Sequence, residues 1–304
     1  MTSKNPVLSI VVISYNTRKI THQCLESIFR SIRGYKAQDA LSFEIILIDN
    51  ASTKDDSAAY LAAYAKKHKN IVYIANTANA GYGPATNQGV KQARGKYIFL
   101  LNSDTIILKD GLQKLFSFYQ KNENTKHFVG PKLFNRDMTS QPSTAPFYRL
   151  PIVFAALFLK GDHWGLTRSS PKEMRRVDWV SGAAIMTKKE YFEKVGGFDQ
   201  TIFMYMEEVD LLYRANKMGL KTFFYPKAKI IHLGSASSNE KTFPIIQVYK
   251  GFLFFYKKHY TKFALFFLRF LLRLKAGLAW FLGFIINNNY LKKTYEEAFH
   301  VAGQ

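Results

Sequence analysis

Acidic and amide side chains stand directly after apolar, strand-like runs at four places in the first half of this 304-residue chain. The four segments are Ser14-Tyr15-Asn16, Asp49-Asn50-Ala51-Ser52, Asn79-Ala80-Gly81-Tyr82-Gly83 and Asn102-Ser103-Asp104. A carboxylate at the end of a buried strand is costly to desolvate unless it is paired, solvated or bound to a ligand. Capping of turns and helices explains any one of these segments, but four at one edge of one sheet favour a binding site.

Two further acids, Glu207 and Glu208, lie in a stretch with helical periodicity over residues 205–218. Glu207, Asp210 and Arg214 share one face of that helix, whereas Glu208 is turned about 100° away. One interpretation is a surface helix whose salt bridges contribute little. Apolar residues on both sides of the acids instead favour partly buried carboxylates with raised pKa values, which are common at catalytic sites. Adjacent glutamates in different surroundings are suited to different roles.

The elements that must position these side chains follow from hydrophobic periodicity. The first part of the chain predicts strands at 8–14, 43–49, 70–75 and 96–101, and helices at 18–33, 55–68 and 84–94. Strands buried on both faces and joined by helices are typical of a doubly wound α/β sheet, in which ligands bind beyond the carboxyl ends of the strands. The predicted fold is therefore a Rossmann-like, mostly parallel, twisted sheet flanked by helices.

The second part of the chain has weaker signals. It predicts helices at 110–121 and 188–195, strands at 128–133, 177–187 (broken by Gly182), 221–226 and 229–233, and a loop or lid at 135–150. The apolar run at 150–159 is interpreted as core, with an acceptor-side wall as the alternative. His232 follows the last strand, and a lone histidine there is more often structural than a ligand.

Composition excludes several classes of protein. With 47% hydrophobic residues the chain can bury a core, so it is not an intrinsically disordered protein. A single cysteine, Cys24, excludes a disulfide framework and a cysteine-based zinc site. No G-x-G-x-x-G follows the first strand and no Walker A sequence occurs. The short apolar run near the N-terminus has no cleavage site, so we expect a cytoplasmic protein.

The net charge of 43 − 22 = +21 indicates an anionic partner. Between Lys241 and Lys275 there are eight lysines and arginines and no acid, and large apolar residues fill the intervals. The charge-free stretch from Ala276 up to Lys292, which ends it, is marginal for a transmembrane span. We expect residues 241–287 to lie on an acidic membrane surface, with a homodimer interface or a cap on the catalytic domain as alternatives. The domains would be 1–238 and a helical, basic and apolar extension at 239–304.

Seven segments resemble, in order and spacing, the inverting glycosyltransferases of family 2, and they are closest to rhamnosyltransferase-like members that build bacterial surface polysaccharides. These segments are VVISYNT, LIDNAST, NAGYGPATNQG, FLLNSDT, WVSGA, GFDQTIFMYMEEVDLLYR and HLG. The resemblance covers about residues 7–235. It implies the nucleotide-sugar-binding GT-A fold.

The resemblance also implies a role for each matching position. The residues implied to bind the nucleotide and donor are Ser14, Tyr15, Asn16, Asp49, Asn79, Gly81, Asn87, Asn102 and Ser103. Those implied to contact the donor sugar and the acceptor are Trp179, Ser181, Gly182 and Ala183. Asp104 and His232 would hold the metal. Glu208 would be the catalytic base, with Glu207 as the second candidate. Two positions depart from the family pattern, since Asn102 replaces the first Asp of Asp-x-Asp and Glu208 replaces an Asp.

The implied reaction is a metal-dependent inverting transfer, with Mg²⁺ or Mn²⁺, at the inner face of the cell membrane. A sugar (rhamnose is the candidate) would pass from a UDP- or dTDP-sugar to a hydroxyl of a glycan or lipid-linked acceptor in cell-surface polysaccharide synthesis. The alternative is a non-catalytic module that binds sugar nucleotides or membranes on the same fold. Nucleic-acid binding is disfavoured, because the basic residues alternate with aliphatic side chains rather than with stacking aromatics.

Overall fold

The computed structural model describes residues 5–33, 41–234 and 242–304. The strands are β1 (Leu8–Ser14), β2 (Phe43–Asp49), β3 (Ile71–Ala75), β4 (Tyr97–Asn102), β5 (Thr105–Ile107), β6 (Phe128–Phe134), β7 (Ser140–Gln141), β8 (Thr144–Ala145), β9 (Arg175–Val177), β10 (Trp179–Val180), β11 (Ala184–Lys188) and β12 (Thr222–His232). The helices are α1 (Arg18–Arg33), α2 (Ser57–Lys66), α3 (Tyr82–Gln92), α4 (Gly111–Asn122), α5 (Leu150–Phe158), α6 (Lys189–Lys194), α7 (Glu207–Lys217), α8 (Thr242–His259), α9 (Lys262–Ile285) and α10 (Asn289–Val301).

The central sheet has the strand order β3-β2-β1-β4-β11-β6-β12-β5. Its first four strands are parallel, because helices α1, α2 and α3 return the chain to the same end of the sheet. Strand β11 then pairs antiparallel with both β4 and β6, and β12 is parallel to β6. The predicted mixed α/β sheet flanked by helices is therefore confirmed.

Two hydrophobic cores cover the faces of this sheet. Strand β1 contributes to both, since Val11 and Ile13 point into one and Ile10 and Val12 into the other. Helices α1, α2 and α4 pack in the second core, and α3, α6, α7 and α8 in the first. A strand covered on both faces is apolar throughout, which is why β1 reads as a continuous apolar run.

The strand predicted at 177–187 is divided among β9, β10 and β11, which pair with different strands, and two further segments differ in detail. The two strands predicted at 221–226 and 229–233 form one strand, β12, with a register shift between Tyr225 and Lys229. Pro226 lies in that interval, and proline cannot donate a ladder hydrogen bond. The apolar run at 150–159 is helix α5, with a proline in its first turn, where its missing N–H is tolerated.

The C-terminal helices share the hydrophobic core of helix α7, which carries Glu207 and Glu208 in its first turn. Ile246, Phe252 and Phe255 of α8 belong to the same buried cluster as Val209 and Leu212 of α7. The domain boundary predicted at 238/239 lies outside the described residues. Over the stretches 5–33, 41–234 and 242–304, no helix is both long and apolar enough to cross a bilayer.

A buried charge cluster joins α7 to α8. Asp210 is completely buried and accepts hydrogen bonds from Arg214 Nε at 2.8 Å and from His259 Nε2 at 2.7 Å. Lys258 Nζ lies 2.8 Å from the same carboxylate and 2.6 Å from Asp199. Burial works to raise the pKa of Asp210, but the hydrogen bonds from His259 and Lys258 and the Arg214 charge outweigh it and lower the pKa.

We expect Asp210→Ala to lower the free energy of unfolding by about 3–5 kcal/mol, because it leaves the largely buried Arg214 and His259 without their carboxylate partner. Urea denaturation at pH 7 measures this change. Lys114→Ala is the matched control, since it breaks the exposed Asp110–Lys114 pair and should cost at most about 1 kcal/mol. The wild-type contribution of Asp210 is complete above about pH 4 and is lost as the pH falls through its lowered pKa. Equal losses in the two variants would contradict this prediction.

Candidate active site

A cleft of about 440 Å³ opens where β1, β2 and β4 end and α7 begins. Eleven of the residues singled out by sequence line it: Tyr15, Asn79, Asn102, Ser103, Asp104, Ser181, Gly182, Ala183, Glu207, Glu208 and His232. They come from six separate stretches of the chain. The structure thus brings these side chains together at the carboxyl ends of the parallel strands, as expected for this class of sheet. Their individual roles stay predictions.

Ser14, Asn16 and Asp49 lie just behind the cleft and shape its loops. Ser14 is buried, and its hydroxyl is hydrogen-bonded to Thr21 at 2.9 Å. Asn16 Oδ1 accepts the backbone N–H groups of residues 53 and 54, which ties the loop after β1 to the loop after β2. Ser52 donates through its N–H and its hydroxyl to the Asp49 carboxylate, at 3.0 and 2.6 Å. The carboxylate thus caps a turn, and its predicted nucleotide contact is not tested.

Gly81, Asn87 and Trp179 also fall outside the lining. Gly81 has φ +87°, and a Cβ there would lie 2.4 Å from the carbonyl oxygen of Phe203, so only glycine lets the two loops approach. The Asn87 amide donates to the Phe198 carbonyl and accepts from the Phe198 N–H. Trp179 is buried and donates from Nε1 to the Pro146 carbonyl at 3.0 Å. Each holds neighbouring segments in place behind the cleft.

Asp104 and His232 meet at the floor of the cleft. His232 Nε2 lies 3.4 Å from Asp104 Oδ1, because β12 pairs with β5 and thereby carries His232 to the end of β4. The other ring nitrogen, Nδ1, is 2.8 Å from Gln141 Oε1. An amide oxygen can only accept, so Nδ1 donates to Gln141, which leaves Nε2 directed toward Asp104.

This donor set fits a divalent metal. A carboxylate oxygen and a neutral imidazole nitrogen are ligands that Mn²⁺ accepts, and the nearby Asn102 Oδ1 is buried without a hydrogen-bond partner. Among the described residues, no group of three His, Cys, Asp or Glu side chains could close a cage. Two protein ligands leave positions open for phosphate oxygens and water, which is the usual arrangement where a metal also binds substrate phosphates.

Glu207 and Glu208 enter the same cleft from the N-terminus of α7. The two residues before them, Tyr205 and Met206, both have left-handed backbones, with φ of 67° and 72°. Such conformations in non-glycine residues are strained and collect at functional sites. Gly251 of α8 packs against this turn, where a Cβ would lie 2.6 Å from Met206 Cγ. Helix α8 therefore supports the strained turn that presents the two acids.

The two glutamates differ in their surroundings. Burial, followed by the neighbouring Glu208 charge, raises the pKa of Glu207 to about 8, and its Oε2 has no hydrogen-bond partner. Burial also raises the pKa of Glu208, but the N–H of Gly182, 3.4 Å from Oε1, and the Arg168 charge partly oppose this effect. The surroundings therefore oppose ionisation of Glu207 more than that of Glu208, whose carboxylate has an N–H group and a cation nearby.

Sequence reasoning assigned no individual role to several lining residues. Asn50 donates to Asn79 Oδ1 at 2.8 Å and so organises the loop after β3. Arg168 lines the cleft and is held by Asp162, with Nη2 2.8 Å from Oδ2. Gln141 lies in the stretch predicted as a loop or lid. Arg168 and Gln141 occur outside periodic segments, so only their positions in the folded chain reveal them.

Comparison with known proteins agrees with this architecture. A mannosyltransferase from Pyrobaculum calidifontis, solved in complex with GDP-Man and Mn²⁺, aligns with a TM-score of 0.58 at 15% identity, covering 99% of this chain and 86% of that chain. The protein therefore has the GT-A glycosyltransferase fold. A family model described as Glycosyl transferase family 2 matches residues 9–209, and the chain belongs to this family.

Two curated relatives match over part of their length. A low-salt glycan biosynthesis hexosyltransferase from Haloferax volcanii is 23% identical over 214 residues, which are 69% of this chain and 62% of that protein. An N-acetylglucosaminyl-diphospho-decaprenol L-rhamnosyltransferase from Mycobacterium tuberculosis is 27% identical over 208 residues, covering 62% of this chain and 66% of that protein. The chain thus spans less than two thirds of the length of either relative. The predicted family membership is confirmed.

Proposed function

We propose that the protein is a metal-dependent inverting glycosyltransferase that moves a sugar from a UDP- or dTDP-sugar to an acceptor hydroxyl. One observation carries the proposal: the Asp104–His232 pair and the Glu207–Glu208 pair line one cleft. A metal-binding pair and a buried carboxylate base are the two parts that such a transfer needs. A non-catalytic binding module would have no use for a strained turn that presents two buried acids.

The donor's diphosphate would lie beside Asp104 and His232. When bound there, Mg²⁺ or Mn²⁺ neutralises the charge that grows on the departing diphosphate. Tyr15, Asn79 and Ser103 line the adjoining wall, where their side chains are suited to hold the nucleotide and the sugar. Gln141 keeps the His232 ring in one tautomer and orientation.

Glu208 would act as the base. As the acceptor oxygen forms its bond to the anomeric carbon, the hydroxyl proton passes to Glu208 and the bond from that carbon to the diphosphate oxygen breaks. This single displacement inverts the anomeric centre. The Gly182 N–H orients the Glu208 carboxylate. Glu207, protonated and with an unpartnered Oε2, is suited to a hydrogen bond with a sugar hydroxyl.

The acceptor is proposed to be a glycan or a lipid-linked saccharide in cell-surface polysaccharide synthesis. The relative from M. tuberculosis is named for a diphospho-decaprenol acceptor and for rhamnose transfer, which supports this class of acceptor and rhamnose as the candidate sugar. A lipid-linked acceptor would place the enzyme at the inner face of the cell membrane. Arg168 supplies a cation at the cleft beside Glu208, suited to an acceptor phosphate.

Thermal-shift measurements test the donor assignment. UDP or dTDP together with Mn²⁺ is expected to raise the melting temperature, because a ligand stabilises the fold in proportion to ln(1 + [L]/Kd). The nucleotide alone, or Mn²⁺ alone, should have a much smaller effect. Sugar nucleotides that carry the base giving the larger shift are then tested for release of the free nucleoside diphosphate. No shift with any nucleoside diphosphate, with or without metal, would contradict the proposal.

A further inference from the structure

Helix α9 is apolar on two opposite sides. One side, with Leu268, Leu272 and Ala276, is fully buried against the rest of the protein. The other side, which we call the outer face of α9, consists of Phe263, Phe266, Phe267, Phe270, Leu274, Leu278, Phe281, Phe284 and Ile285. These residues recur every three or four positions and are exposed, with Phe263 at 73% and Phe266 at 64%. Since the inner side already packs on the protein, the outer face is not needed to attach α9 to the part of the chain that the structure describes.

Cations border the outer face. Lys262, Arg269 and Arg273 follow one flank at helical spacing, Lys275 lies on the other, and the helix contains no acid. A helix of 24 residues is about 36 Å long, and this apolar strip extends over nearly the whole helix. Contiguous exposed apolar surfaces of this kind mark interaction sites.

We propose that the outer face of α9 docks the protein on an anionic lipid bilayer, with the helix lying in the plane of the interface. Phenylalanine and leucine side chains would enter the acyl boundary, while the flanking lysines and arginines reach phosphate headgroups. Charge decides between a bilayer and a second copy. If two copies met through this face, their cationic flanks would come together, and the helix has no carboxylate to pair with them. The net charge of +21 on each chain would add to this repulsion.

The surface continues toward the cleft. Helix α5 packs against α9, and Lys275 lies over the Phe158 ring at 5.9 Å. After α5 the chain passes exposed Trp164 and Leu166 and reaches Arg168, which lines the cleft. In this proposal, docking through the outer face turns the segment from α5 to Arg168, and with it that side of the cleft, toward the headgroups. This orientation toward a lipid-linked acceptor rests on the proposed function, whereas the docking itself does not.

Vesicle flotation of the full chain tests the docking. We expect binding to vesicles of phosphatidylglycerol and phosphatidylcholine, weaker binding to phosphatidylcholine alone, and weaker binding in 0.5 M salt, where the Debye length is about half its value at physiological ionic strength. The triple variant F266S/F270S/F281S should lower binding to the anionic vesicles by at least about tenfold. The matched control, M138S/M218S, removes two exposed apolar side chains elsewhere and should bind like the wild type.

Three outcomes would overturn the docking proposal. The first is that the wild type fails to float with anionic vesicles, and the second is that the triple variant floats as well as the wild type. The third is that the wild type is a dimer, the triple variant is a monomer, and neither binds lipid. The nucleotide-induced thermal shift, measured on the triple variant, separates this proposal from the proposed function. It should be unchanged, because none of the three phenylalanines lines the cleft.

Discussion

Glu208→Gln is expected to lower kcat for sugar transfer by about 10²–10⁴-fold, which is the usual contribution of a positioned general base. The amide keeps the shape of the side chain but cannot take the acceptor proton. Binding of the nucleoside diphosphate should be retained, because it is proposed to depend on Asp104 and His232, which the substitution leaves in place. Steady-state release of nucleoside diphosphate and the nucleotide-induced thermal shift measure the two effects separately.

The matched control is Glu207→Gln. Glu207 is already held neutral by burial, so its amide changes the charge of the cleft little, and the loss in kcat should be clearly smaller. A larger loss in Glu207→Gln than in Glu208→Gln would assign the base to Glu207. In the wild type, kcat should fall as the pH drops through the raised pKa of Glu208, above the range of an ordinary glutamate.

Asp104→Ala is expected to abolish the metal-dependent part of nucleotide binding and to lower kcat/KM by at least about 10²-fold. Lewis-acid stabilisation of a departing phosphate is worth several kcal/mol, and each 1.36 kcal/mol is a factor of ten in rate. The thermal shift with UDP or dTDP and Mn²⁺ measures binding without relying on turnover. Fluorescence-detected Mn²⁺ binding gives a third readout.

Two further variants sharpen the metal assignment. Gln141→Leu leaves both proposed ligands in place but removes the partner of His232 Nδ1, and it should weaken metal affinity by about 10–100-fold. Glu173→Ala removes an exposed carboxylate that does not line the cleft and should have no effect. A normal metal-dependent thermal shift in Asp104→Ala would remove Asp104 from the site.

The sequence predicts the parallel half of the fold well, because β1, β2 and β4 are buried on both faces and separated by amphipathic helices. It predicts the residues that follow these strands for the same reason, since parallel strands end at one edge. Asn50, Asn79 and Asp104 accordingly meet at one cleft. The GT-A fold and the family both agree with what the motifs implied.

The remainder depends on contacts between distant segments. Arg168 and Gln141 reach the cleft from irregular chain with no periodic signal. Whether Asn87 contacts backbone or ligand is decided by a neighbour far along the chain, Phe198. Helix α9 shows the same limit, because its composition reveals an apolar and basic helix, whereas only the folded chain shows which side is covered.

The contact between Gly251 and the Met206 turn has a consequence for protein engineering. A recombinant fragment trimmed after β12 would keep the whole family motif but lose the helix that braces the turn before the two acids. It would also leave Asp210 without His259 and Lys258. The smallest unit worth transplanting into a chimera is therefore longer than the stretch that the family motif marks.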